Sequence, residues 1–98
     1  MAKGYLVATL DLTNPDAYGP YRDQVPAIID RHGGRYLVRG GAVEPLEGEA
    51  EFSRVVVVEF PSVEAVKSFY NDPEYQRIIP LRTENAQGTL IVAEGVSG

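Results

Sequence analysis

Apolar residues recur along this chain in two rhythms, alternation over short runs and three-and-four spacing over longer ones. The rhythm changes in an order that predicts strand, helix, strand, strand, helix, strand. Residues 5–12 (Tyr-Leu-Val-Ala-Thr-Leu-Asp-Leu) are rich in strand formers and stop at Thr13-Asn14-Pro15-Asp16. There Asn14 suits a helix N-cap, Pro15 the first helical position and Asp16 the positive end of a helix dipole. The segment running to Arg31 sets Tyr18, Tyr21, Val25, Ile28 and Ile29 on one stripe. Pro20 and Pro26 each lack a backbone donor, so a break is expected near Gly19-Pro20 and a kink or restart near Pro26. His32-Gly33-Gly34 ends the helix.

A second strand is expected over 35–42, followed by a polar, acidic connection over 44–51 that reads as a hairpin-like loop with strand-like edges. The third strand, 54–60, carries four consecutive valines, the strongest β signal in the chain, and Pro61 stops it. Ser62 then caps a helix to about Asn71, with Val63, Val66, Phe69 and Tyr70 on its apolar face. Asp72-Pro73-Glu74 restarts a second helical piece holding Tyr75, Ile78, Ile79 and Leu81, with an interruption expected at Pro80. The last strand is expected over 89–94, between Gly88 and Gly95.

The resulting β-α-β-β-α-β order is the split motif of the ferredoxin-like α+β fold. Right-handed crossovers put the helices on one face of a four-stranded antiparallel sheet, in spatial order 4-1-3-2. The strands do not alternate as a sheet with one wet face would. Val55 and Val57 share one face while Val56, Val58 and Phe60 share the other, and Leu6, Ala8 and Leu10 oppose Tyr5 and Val7. The helices can cover only one apolar face, so a second copy of the chain is the expected cover for the other, giving a homodimer through sheet faces; the alternative is a monomer whose connection over 43–53 covers it.

The 98 residues fit one domain spanning 1–98, near the size at which much apolar surface stays outside unless a partner covers it. A formal charge of -5 and the lack of a local basic cluster argue against nucleic acid. Without cysteine there is no disulfide framework, thiolate metal site or cysteine nucleophile. The short apolar opening lacks the features of a membrane span or a signal peptide, so neither a membrane partner nor export is expected and the cytoplasm is the expected location.

The sequence also carries a family resemblance. Its residues are Gly4-Tyr5-Leu6-Val7, the segment Asp16-Ala17-Tyr18 through Tyr21, the run His32-Gly33-Gly34-Arg35-Tyr36-Leu37-Val38-Arg39-Gly40-Gly41, the strand from Arg54 to Phe60 with Pro61-Ser62, and Ser68-Phe69-Tyr70 with Pro73-Glu74-Tyr75-Gln76 and Pro80-Leu81-Arg82. Together they resemble a family of small bacterial proteins of unknown function, marked by an HGG(R)(F/Y)LVRGG-type motif, within the dimeric α/β-barrel superfamily. The resemblance implies the same fold and dimer. The superfamily includes cofactor-free monooxygenases, haem-degrading enzymes, isomerases, cyclases and stress-induced proteins, and a shared fold transfers none of those activities.

Candidate chemistry concentrates at the 32–41 junction. His32 is the one histidine, a candidate general base or acid, though a position in the last helical turn equally suits a cation at the dipole's negative end. Arg39, beside the backbone amides of Gly40 and Gly41, would suit a carboxylate or enolate oxygen; the structural alternative is an edge arginine paired with Glu59. By alternation Arg39 shares a face with Leu37. Glu59 interrupts an apolar strand and is a second candidate base if buried. Tyr18, Tyr21, Tyr70 and Tyr75 fall on helical segments facing the sheet, as core residues whose hydroxyls reach the surface or, for Tyr18 and Tyr70, as candidate ligand walls. Arg82 and Asn85 read as rim polar groups.

Metal-ligand spacing, phosphate-binding glycine spacing and a nucleophile elbow are all missing from the sequence, and no cofactor is expected. The third strand lacks the stacking aromatics of RNA-binding domains with the same element order. The expected function is binding of a small organic molecule bearing a carboxylate, carbonyl or phenol, in a pocket between sheet and helices. Two other expectations stand beside it: a cofactor-free isomerase, cyclase or monooxygenase working by proton transfer with His32 or Glu59 as base, and a structural or stress-related protein without catalysis.

Overall fold

The computed structural model describes residues 2–49 and 52–97. Its elements run β1 (Gly4–Leu12), α1 (Pro15–Arg31), β2 (Arg35–Arg39), β3 (Arg54–Phe60), α2 (Val63–Tyr70), α3 (Pro73–Thr83) and β4 (Ala86–Glu94). The strands form one antiparallel sheet in the order β2-β3-β1-β4, which is the expected 4-1-3-2 order read from the other edge. This is a ferredoxin-like α+β fold.

The helices start where side chains can hold their unpaired first amides. Asn14 Oδ1 accepts from the Ala17 amide at 3.3 Å, Ser62 Oγ from Ala65 at 3.1 Å and Asp72 Oδ1 from Glu74 at 2.9 Å, with Pro15 and Pro73 opening α1 and α3. The expected interruptions do not occur: α1 runs unbroken through Pro20 and Pro26, and α3 through Pro80. At Pro26 the cause is visible. The missing N–H leaves the Arg22 carbonyl, four residues back, without its helical donor, and Arg39 Nη2 donates to that oxygen at 3.1 Å.

Three boundaries shift. The second strand ends at Arg39, earlier than the expected Ala42, because Gly40 turns to φ 69°, a left-handed conformation that a Cβ disfavours. Residues 41–49 form an exposed connection without the expected strand-like edges, and the rest of that expectation, at 50–51, lies outside the described residues. The last strand begins three residues before Thr89, extending the pairing with β1 to Leu12↔Ala86.

The core lies between the sheet and the helices, with Leu6, Ala8, Leu10, Val58 and Phe60 packed on Tyr18, Ile28, Ile29, Val66, Phe69 and Tyr75. Across the opposite face, register aligns Val38, Val57, Val7 and Ile91 into one apolar row over all four strands. Val38 and Ile91 remain 40% and 54% exposed. The molecule measures 36 × 35 × 16 Å, the thickness of one sheet and one helical layer.

Candidate functional site

The residues expected to share one pocket are divided among four places. His32 stands where α1 meets α3. Its Nε2–H donates to Asp72 Oδ2 at 2.8 Å, Arg31 Nη2 donates to the same oxygen at 3.0 Å, and Arg31 Nη1 donates to Glu74 Oε2 at 2.7 Å. The His32 hydrogen bond, the Glu74 amide and Arg31 together hold the Asp72 carboxyl at a pKa of about 2, against an ordinary 3.8. Every charge at this junction has an opposite partner.

Glu59 lies on the far face of the sheet, beside the apolar row. Tyr5 Oη donates to its Oε2 at 3.2 Å, Arg35 Nε to its Oε1 at 3.0 Å, and Lys3 Nζ stands at 3.9 Å. Burial and then the Glu59 carboxylate push the Tyr5 hydroxyl pKa up. Arg35 is thus the arginine that Glu59 takes, and the alternative pairing with Arg39 does not form. The sheet separates Glu59 from any pocket under the helices, so it cannot serve there as a base.

Arg39 faces the helices because β2 carries a bulge. Tyr36 pairs with Val58 and Val38 with Val57, which leaves Leu37 as the extra residue and swings Arg39, opposite Val56, onto the inner face with Tyr36. Simple alternation therefore misplaced Arg39 with Leu37. The guanidinium carbon lies 4.7 Å from the Tyr36 ring centre. Gly40 and Gly41 do not offer a pair of free amides, since the Gly40 amide donates to the Val55 carbonyl at 2.9 Å. Gly40 has a different use: a Cβ there would collide with Arg54 Nη1, so the missing side chain makes room for that guanidinium.

Beneath α1 and the end of α3, Arg39 and Tyr18 meet Arg54, Arg82, Tyr21 and Tyr36 around a cavity of about 30 Å³. Arg22 also borders it, so four of the nine basic residues gather here, and no carboxylate lines the space among the described residues. Arg54 Nε and Arg82 Nε are buried without a hydrogen-bond partner among the described residues. Such a group is costly to leave unmatched, and a water, an ion or a ligand atom can satisfy it. Tyr21 and Tyr75 share one hydrogen bond, 2.8 Å between buried hydroxyls, and burial pushes both pKa values up, so both remain neutral. One hydroxyl proton lies between the two oxygens and the other is free to donate elsewhere. The cavity thus offers cations and phenolic donors to an acceptor atom.

Tyr70 lies apart from this cavity. It lines a larger cleft of about 250 Å³ between α2 and β4, with Val66, Lys67, Asn71, Leu90 and Val92.

Arg54 and Arg82 are the residues that sequence reasoning passed over, the first as a strand end and the second as a rim group. A signal for Arg54 was present, because its position alternates with Val56 and Val58 on the face that packs against the helices. Asn85 is a joint, its carbonyl accepting from Thr13 and Asn14 and its side chain donating to Leu81 at 2.8 Å.

Solved structures share this fold. A protein of unknown function from Rhodopseudomonas palustris, RPA0582, superposes with a TM-score of 0.79 at 21% identity over 99% of this chain and 85% of its own. SnoaB, a cofactor-independent oxygenase from Streptomyces nogalater, gives 0.69 at 11% identity over 100% and 97%. An ethyl tert-butyl ether d (EthD) family protein from Bacillus halodurans gives 0.59 at 12% identity over 98% and 100%. Likeness at these identities establishes the fold alone. No protein with a curated description matches the chain. Residues 3–96 match the model of the domain of unknown function DUF1330, and the chain belongs to that family.

Proposed function

We propose that this chain is a one-domain homodimeric protein of the bacterial cytoplasm that binds a small organic molecule through an oxygen of a carboxylate, carbonyl or phenol group, in the cavity between sheet and helices. The observation that carries the proposal is the set of three inward arginines, Arg39, Arg54 and Arg82, with two Nε atoms unpartnered and no lining acid among the described residues. A charge-assisted hydrogen bond in such a site contributes about 1.5–3 kcal/mol, and a bidentate pair adds geometric selection. The apolar row Val38–Val57–Val7–Ile91 supports the dimer, since two apolar sheet faces packed together would remove it from water.

Titration calorimetry with small carboxylates and phenols tests the binding site on wild type and Arg54→Gln. Saturable binding that the substitution weakens is expected, and equal binding by both proteins would refute the cavity as the site. Light scattering on Val57→Lys tests the dimer: wild type should have twice the chain mass and the variant the mass of one chain.

A second reading is supported by the character of the lining groups. Cations and neutral phenols without a base suit stabilisation of an oxyanion formed on a substrate, as a cofactor-free isomerase, cyclase or oxygenase requires. The fold shared with a cofactor-independent oxygenase is compatible with it. Neither His32 nor Glu59 reaches the cavity, so a proton acceptor in this reading comes from substrate or solvent. If no ligand binds, the structural, non-catalytic reading remains.

A further inference from the structure

The arginine cavity and the α2–β4 cleft share three lining residues, Leu6, Leu90 and Arg82. The two spaces are therefore adjacent, and Arg82 is the charged residue that borders both. The two differ in size and chemistry. The cavity holds about 30 Å³, where a water needs roughly 10–15 Å³, so it accepts two small polar atoms. The cleft holds about 250 Å³, larger than the roughly 150 Å³ that accommodates benzene. Its walls are mostly apolar, with Leu6, Val66, Leu90 and Val92, and no acid lines it among the described residues.

We propose that Arg82 joins these spaces into one two-part site for a small organic monoacid, its carboxylate held among Arg39, Arg54 and Arg82 and its body, about one aromatic ring or a short chain, in the cleft against Val66, Tyr70 and Val92. This rests on the reading of the arginine cavity as an anion site and narrows it. The room for two small atoms matches the two oxygens of a carboxylate, which guanidinium groups take in pairs. A phenolate presents one oxygen with a ring directly behind it, and that ring is too large for the cavity. Among the walls of the cleft, the Tyr70 ring, 41% exposed, offers an aromatic face to a ligand body. Lys67 at the rim adds attraction for an anion.

Titration calorimetry with acetate, phenylacetate and 2-phenylethanol separates the parts. Phenylacetate is expected to bind at least 10-fold more tightly than acetate, and 2-phenylethanol at least 10-fold more weakly than phenylacetate. Val92→Trp, which fills the cleft from a half-exposed strand position, should reduce the phenylacetate-to-acetate ratio to about one. Asn71→Trp, on an exposed helix end, is the second filling variant should the first fail to fold. Arg82→Gln should weaken both acids. Equal binding of acetate and phenylacetate, or a ratio that survives both filling variants, overturns the two-part site; if Arg54→Gln still weakens acetate binding, the anion cavity itself stands. Absence of binding by either acid to wild type overturns both.

Discussion

The α1–α3 junction and the arginine cavity both gather basic side chains, and only the junction supplies acids to match them among the described residues. At the junction Arg31 and His32 meet Asp72 and Glu74 at 2.7–3.0 Å, close to solvent. In the cavity Arg39, Arg54 and Arg82 have no acidic partner among the described residues and two of their Nε atoms are buried and unpaired. Matched charges near the surface hold two helices together at modest gain. Unmatched charges under a helix work against folding, and under the proposed function binding of an anion offsets that cost. Removing a charge should therefore have opposite consequences in the two regions, loss of stability at one and loss of binding at the other.

The largest expected effect is on Arg54→Gln, which should weaken carboxylate binding about 30-fold, the equivalent of roughly 2 kcal/mol, while leaving the melting temperature unchanged or raised. Calorimetry and thermal denaturation on the same preparation check this. A lower melting temperature with binding intact would place Arg54 with the structural charges and erase the contrast. Gly40→Ala comes next. It forces a Cβ into a left-handed backbone at φ 69° and against Arg54, so it should cost about 1–2 kcal/mol of stability and weaken binding by displacing the guanidinium. Both losses should be absent in Gly41→Ala, where nothing lies close to a new Cβ.

Tyr21→Phe removes the buried hydroxyl pair at a cost of about 1 kcal/mol, read as a fall in melting temperature of roughly 4–8 °C. It also removes a donor bordering the cavity, so binding should weaken several-fold more than in a control substitution at Tyr5. The smallest neutral-pH effect is expected for Asp72→Asn, a slight loss of melting temperature with ligand binding unaffected. Its signature lies in acid. Because the folded Asp72 carboxyl is held at about 2, below its unfolded value, its stabilisation is complete above the unfolded pKa and is lost as pH falls toward about 2. Acid titration of stability should show a step over that window in wild type and a diminished one in the variant.

Much of this architecture was legible in the chain. The caps Asn14 and Ser62 sit where residue chemistry alone put them, β3 has the expected bounds, and the apolar character of both sheet faces follows from parity along Val55–Phe60. Local rules sufficed there because each depends on residues a few positions apart. They failed at Pro26, where the Arg22 carbonyl left without a helical donor accepts instead from Arg39, 17 positions away. They failed again at the Leu37 bulge, because an extra residue in a strand can be seen only against the partner strand that lacks it.

The sequence by itself determined the order of elements, the sheet that order builds, the tyrosines on helical positions facing that sheet, and a stock of charged residues. The tertiary structure decided which of those charges are answered. Asp72 reaches His32 across 40 residues and Glu59 reaches Arg35 across 24, while Arg54 and Arg82 are brought to one cavity without an acid among the described residues. Charge pairing is a property of distances in space, and a linear pattern records only distances along the chain.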